Sequence, residues 1–188
     1  MAGNERFAAN QLTSIEHDLK ILKEHTVEKQ EPFAAVLSCA DSRVPVELVF
    51  DQTIGHLFVT RVAGNLVTPE IIGSLEYGVA VLGVKVLLVL GHTSCGAIKG
   101  AIDGAKLGNL TGLLEKLTPA VRAVKDVEGP RTSKNAAFVD AVATENVRLT
   151  LLEIRRISPV LAGLEREKKI VLVGAMYHVE SGEVQFLD

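Results

Sequence analysis

The chain has 188 residues, of which 47% are apolar and 23% charged, a net charge of −3 and a positive mean hydropathy. That size and make-up suit a single α/β domain spanning 1–188 with a substantial core, and the charge excludes the strongly basic surface that nucleic acid or an anionic membrane would select. The most apolar stretch, Gly78 to Leu90, is interrupted by Lys85 and falls short of the roughly 20 residues a spanning helix needs.

Taken in chain order, residues 5 to about 25 are expected to form a helix, because Phe7, Leu12, Ile15, Leu19 and Leu22 fall on one stripe opposite the charges. So apolar a stripe suits packing, including packing on a second subunit; His17 and His25 carry no expected function. A first strand over about 33 to 39 ends at Cys39, and Pro45 suits the first turn of a short helix through Phe50. His56 to Arg61 reads as a second strand. Thr68-Pro69-Glu70 then opens a helix to about Leu82, with Thr68 as N-cap and Leu75 and Val79 on one face.

A third strand, 85 to 90, leads to His92, and a helix begins near Ser94. Further helices are expected near 110 to 125, from a cap at Ser133 to about Ile157, and after Ser158-Pro159. Lys169 to Tyr177 reads as a buried strand, and Val184 to Leu187 pairs with it after the Ser181-Gly182 turn. No repeat, low-complexity run or linker divides the chain.

Chemistry concentrates in two places, Cys39-Ala40-Asp41-Ser42-Arg43 and Gly91-His92-Thr93-Ser94-Cys95-Gly96. Each follows an apolar run that reads as a buried parallel strand, and the carboxyl ends of neighbouring strands in an open α/β sheet converge on one crevice. Cys39 and Cys95 are the two cysteines of the chain. The amino terminus lacks the apolar segment of an export signal, so the protein is expected in the cytoplasm. There, cysteines serve metal or redox work more often than a structural disulfide, although two buried core thiols are the plainer alternative. Two thiolates and the imidazole of His92 would make three zinc ligands with a fourth position open. Asp41 and Arg43 beside them are either a structural ion pair or part of that site. Gly91 and Gly96 invite comparison with a phosphate loop, but Ala97 stands where that motif requires lysine, so nucleotide binding is not expected.

Taken together, Cys39-x-Asp41-x-Arg43 and His92-x-x-Cys95-Gly96 resemble the β-class carbonic anhydrases, as do Phe58-Val59-x-Arg61-Val62-Ala63-Gly64-Asn65 and Ser74-Leu75-Glu76-Tyr77. The resemblance runs from about Gln30 to Gly100, with a fainter echo at Asn146 to Leu152 and Tyr177 to Leu187. It implies a mainly parallel central sheet of four strands plus a C-terminal antiparallel edge strand, flanked by helices, with the N-terminal helix packing on a partner subunit. It also implies a homodimer or higher homo-oligomer. Cys39, His92 and Cys95 would bind zinc, Asp41 and Arg43 would form the catalytic dyad, and the reaction would be reversible hydration of carbon dioxide to bicarbonate and a proton by a zinc-hydroxide mechanism. Gln30, Phe58 and Tyr77 match positions that line the substrate pocket in plant-like members, and Gly96 would let the backbone approach bound ligand closely.

Some residues depart from the family pattern. Val36 stands where members with a second, inhibitory bicarbonate site carry tryptophan, and His178 stands where aspartate often follows tyrosine. His178 is expected to face solvent rather than relay protons, and His56 is given no role. Two rival readings stay open: hydrolysis of carbon disulfide or carbonyl sulfide on the same zinc site, and a non-catalytic thiol or redox protein.

Overall fold

In the computed structural model, which describes residues 1–13, 24 and 26–187, five runs form strands: β1 Ala34–Ser38, β2 Leu57–Arg61, β3 Val86–His92, β4 Val171–Tyr177 and β5 Val184–Phe186. Four of them run parallel in the order β2-β1-β3-β4, and β5 closes the edge antiparallel to β4. This is the expected α/β sheet. All five residues of β1 are buried because both faces of the strand are covered. Ala35 and Leu37 join Leu87 and Val89 in the larger core, while Val36 meets Leu88 and Leu90 on the opposite face. Burial on both sides is why the strand reads as a continuous apolar run rather than an alternating one.

Among the described residues the helices are α1 Ala2–Ala8, α2 Val46–Val49, α3 Pro69–Glu76, α4 Gly96–Ile102, α5 Gly108–Glu115, α6 Thr118–Ala123, α7 Ala136–Ile157 and α8 Pro159–Arg166. Thr68 and Ser158 cap α3 and α8 through their hydroxyl oxygens, as their sequences indicate. Other boundaries differ from expectation for local reasons. The helix expected near 110 to 125 is two helices, because Pro119 at the start of α6 has no N–H to give and would clash with the preceding turn. Asn135, not Ser133, caps α7: its Oδ1 accepts from Phe138 N at 3.3 Å while its Nδ2 donates to Glu128 O and Pro130 O. Only an amide can cap the helix and tie down that loop together. Pro45 sits at the N-cap of α2 rather than inside it. Beyond α3 the chain continues as a π turn over Tyr77–Val81.

The helix expected over 5 to 25 is not continuous. It stops at Ala8, Asn10 takes a left-handed φ of 56°, and Thr13 is held instead by Asp51 through its amide and hydroxyl. Ile15, Leu19 and Leu22 of the apolar stripe, and His17 and His25, lie outside the described residues. The described part packs on its own sheet: Asn4 donates to Val49 O and Gly182 O and accepts from Val184 N, and Phe7 lies against Tyr177. Among the described residues no helix is long and apolar enough to cross a membrane.

Strand order decides where a ligand can sit. β1 connects onward to β2 on one side of it, while β3, on its other side, connects to β4 further out. The connections therefore leave the carboxyl ends of β1 and β3 in opposite directions and open a crevice between them, which is the usual ligand position in such sheets. Cys39 follows β1 and His92 ends β3, so the crevice receives both. α7 closes its floor by docking on Gly91, where an added Cβ would lie 2.6 Å from Val147 and 2.7 Å from the Met176 sulfur. A methyl group there would overpack the contact, a change that costs about 1–3 kcal/mol in cores of this kind.

Candidate metal centre

Cys39, His92 and Cys95 come together in the crevice, with one possible ligand atom from each lying within 4.8 Å of the others and all three residues buried. His92 Nδ1 lies 2.9 Å from the carbonyl oxygen of Thr93. A carbonyl can only accept, so the ring carries its proton on Nδ1 and turns the lone pair of Nε2 into the cluster. That Nε2 is buried and has no hydrogen-bond partner. An orphaned buried acceptor costs about 1–3 kcal/mol, and a metal ion would satisfy it. The donor set, one imidazole and two sulfurs, fits zinc with one position left for chemistry.

The two thiols behave unequally. Cys39 is held well below the usual thiol range, chiefly because Cys95 donates a hydrogen bond to it; the amides of Gly64 and Asp41 add to the effect, and burial opposes it. Those amides lie 3.3 and 3.4 Å from the Cys39 sulfur. Cys95 is pushed up for the matching reason: it keeps its proton on behalf of Cys39, and burial adds to this. The amides of Ala97 and Ile98, at the start of α4, act weakly the other way. The protein thus stabilises one thiolate by itself, and a second buried thiolate requires a cation between them. Gly64 aims its amide at Cys39 from a left-handed φ of 74°, which a residue without Cβ adopts freely, and its carbonyl oxygen accepts from Asn146 Nδ2 of α7 at 2.8 Å.

Asp41 faces the same space. Its Oδ1 accepts from the amide and Nε of Arg43 at 2.9 and 3.0 Å, its Oδ2 accepts from Arg43 Nη2 at 2.8 Å, and Oδ2 lies 3.9 Å from His92 Nε2. The Arg43 hydrogen bonds hold this carboxyl down at about 2, against a smaller opposing effect of burial. Asp41 is therefore an acceptor with its lone pairs largely committed. Arg61 fixes the loop beneath, donating to Cys39 O at 2.9 Å and to Asp41 O at 2.5 Å.

The other expected site residues lie further away. Phe58 is on β2 three residues before Arg61, roughly 10 Å along the strand from that end. Its ring meets that of the exposed Tyr77 at 6.0 Å. Gly96 follows Cys95 directly, and an added Cβ there would meet no protein atom within 4 Å. Gln30 is exposed before β1, at the end of the strand opposite Cys39. His56 and His178 lie outside the Cys39, His92 and Cys95 cluster. The supports from Arg61, Gly64, Asn146 and Asp140 carried no role in the sequence reading. Arg61 and Gly64 sit in a quoted motif that could have signalled them, whereas Asp140 has no local signature.

A family model described as carbonic anhydrase matches residues 34–184. A carbonic anhydrase of Mycolicibacterium smegmatis is 31% identical, covering 97% of this chain and 87% of its own, and carbonic anhydrase 2 of Mycobacterium tuberculosis is 33% identical, covering 99% and 88%. Among solved structures, a Coccomyxa β-carbonic anhydrase in complex with acetazolamide superposes with a TM-score of 0.78 at 25% identity, over 92% of this chain and 81% of that one. A tetrameric β-carbonic anhydrase of Sordaria macrospora shares the fold, with a TM-score of 0.78 at 24% identity over 99% and 93%. A family match across most of the chain, relatives at 31–33% identity along nearly its whole length and a shared fold mean that the chain belongs to the β-class carbonic anhydrase family, lyases that interconvert carbon dioxide and bicarbonate.

Proposed function

We propose that Cys39, His92 and Cys95 hold one zinc ion and that the chain, as a single domain over 1–188, catalyses the reversible hydration of carbon dioxide to bicarbonate and a proton. The observation that carries this reading is the orphaned Nε2 of His92 between two thiols, beside a carboxylate locked into an accepting role. Zinc, when bound there, supplies a Lewis acid that makes water acidic enough to act as a nucleophile. Asp41 accepts the hydrogen bond of that nucleophile and so turns its lone pair toward the carbon of carbon dioxide. Arg43 keeps Asp41 in that orientation and away from the metal position, which supports an open site. Phe58 and Tyr77 supply apolar wall where a second copy of the chain brings them to the crevice, and Gly96 leaves room for bound ligand. Gln30, at the far end of β1, donates to bicarbonate where a second copy of the chain brings it to the crevice.

The deciding experiment is stopped-flow hydration across the neutral-to-alkaline range on protein with its zinc counted, alongside a hydrogen sulfide release assay with carbon disulfide. Two thiolates leave zinc a weaker Lewis acid than three imidazoles do, so hydration should rise with pH and dehydration should fall. Asp41 contributes nothing to that limb. Its folded value is below its unfolded one, so its charge and the stability that charge brings are present above the carboxylate range and are lost only as pH falls through about 2. Flat hydration, or sulfide release without hydration, overturns the reading.

The working form is proposed to be a homodimer or a larger assembly. Met1, Phe33, Val86, Val171 and Phe186 are exposed, and four of them rim an apolar groove of about 230 Å³ at the amino ends of the strands. A second copy is the proposed cover, supported by the tetrameric relative and by the apolar stripe that begins at Phe7. Light scattering at micromolar concentration should give at least twice the chain mass, and an active monomer rejects the assembly. The free thiols support a cytoplasmic location, where thiols stay reduced.

A further inference from the structure

We infer that Asp140 is a positioning residue for the metal cluster, acting through the Ser94 peptide; the inference rests on the zinc reading of Cys39, His92 and Cys95. Ser94 lies between His92 and Cys95 and holds a left-handed φ of 55°, a conformation that costs a non-glycine residue about 1 kcal/mol and persists only when its surroundings enforce it. Two contacts enforce it. The Ser94 amide donates to Asp140 Oδ1 of α7 at 2.8 Å, and the Ser94 carbonyl oxygen accepts from Arg43 Nη2 at 3.2 Å. The same Arg43 nitrogen donates to Asp41 Oδ2. The backbone of one residue therefore connects Asp140 to the turn that carries two cluster residues and to the pair that orients Asp41.

The placement of Asp140 is itself fixed. α7 is seated against β3 by the close approach at Gly91, and Asn146 of the same helix holds the Gly64 carbonyl, whose own amide donates to Cys39. From one rigid helix, Asn146 braces the Cys39 side of the cluster and Asp140 the Cys95 side. What Asp140 provides is an acceptor at a set distance. An asparagine oxygen can do the same, whereas leucine fills the space without accepting.

The experiment compares Asp140→Asn and Asp140→Leu with the parent holoenzyme in three readouts: zinc loss to a chelator, kcat against KM for hydration, and hydrogen exchange at the Ser94 amide. Outer partners of this kind change metal affinity or activity about 10–100-fold. Asp140→Leu should release zinc at least about 10-fold faster and lower kcat about 10-fold or more with little change in KM, while Asp140→Asn stays within about threefold of the parent. Parent-like zinc retention in Asp140→Leu, or equal loss in both variants, overturns the inference. Should Asp140→Leu not fold, exchange at the parent's Ser94 amide decides: protection is expected, and exchange at an unprotected rate overturns it. A parent protein without zinc would instead sink the zinc reading, so the two failures are separable.

Discussion

Cys39→Ser, His92→Ala and Cys95→Ser should each purify with most of their zinc gone and with hydration near background. Zinc held by four protein ligands is worth about 10–16 kcal/mol, so each ligand carries roughly 2.5–4 kcal/mol, and losing one weakens binding by about 100-fold or more. A centre with three protein ligands has none to spare. The three variants should differ in what they leave behind. Cys39→Ser gives the amides of Gly64 and Asp41, which now donate to its sulfur, a neutral and shorter hydroxyl as acceptor. His92→Ala opens a cavity where the ring is fully buried and frees the Thr93 carbonyl. Cys95→Ser replaces the S–H that keeps the Cys39 thiol low with a shorter hydroxyl. Apo stability should therefore fall most for His92→Ala, by about 2–5 kcal/mol as for other large-to-small core changes. Metal analysis after gel filtration, with thermal unfolding of the apo forms, checks both parts. Full zinc occupancy in any one variant removes that residue from the ligand set.

Most of the crevice was legible because the residues that build it are local in sequence. A run such as Leu87 to Leu90, buried by two layers, ends at the carboxyl rim of the sheet, and His92-x-x-Cys95 is short enough to come from one turn. Cys39 follows the same logic from β1. The supports were not legible, because they cross the fold. Asp140 lies 46 residues from Ser94 and Asn146 lies 82 from Gly64, and no periodicity relates them. Boundaries failed where a side chain did two jobs or an unfavourable φ was imposed from outside. Asn135 displaced Ser133 because its amide also ties a loop, and α4 starts at Gly96 rather than Ser94 because Asp140 and Arg43 hold Ser94 out of helix geometry. The helix expected over 5 to 25 is broken for a third reason: the chain leaves helix geometry after Ala8, Asn10 takes a left-handed φ and Asp51 then holds Thr13, while Ile15, Leu19 and Leu22 of the stripe lie outside the described residues.

Asp41→Asn should keep its zinc and lose hydration by about 100-fold or more, the lower end of what a correctly placed proton-handling group contributes. The substitution preserves shape, and Asp41 is not one of the three cluster residues, so metal content should not change. What changes is the direction of hydrogen bonding. The carboxylate only accepts, whereas the amide offers two donors, and it loses the charge that both Arg43 nitrogens now bind. Arg43→Ala should also retain zinc but fail differently. It leaves Asp41 charged and released, with Oδ2 already 3.9 Å from His92 Nε2 and free to turn toward the metal position. In that variant the carboxylate becomes an inhibitor of its own site. Removing it should therefore cost little more, and the double variant Asp41→Asn, Arg43→Ala should lose about as much as the worse single variant rather than the product of both. Steady-state hydration of the three proteins, normalised to measured zinc, tests this directly. Unimpaired turnover in Asp41→Asn takes the pair out of the mechanism. Loss of zinc in that variant makes Asp41 a metal ligand instead, and multiplicative losses in the double variant show that Arg43 acts on the reaction by a route other than holding Asp41.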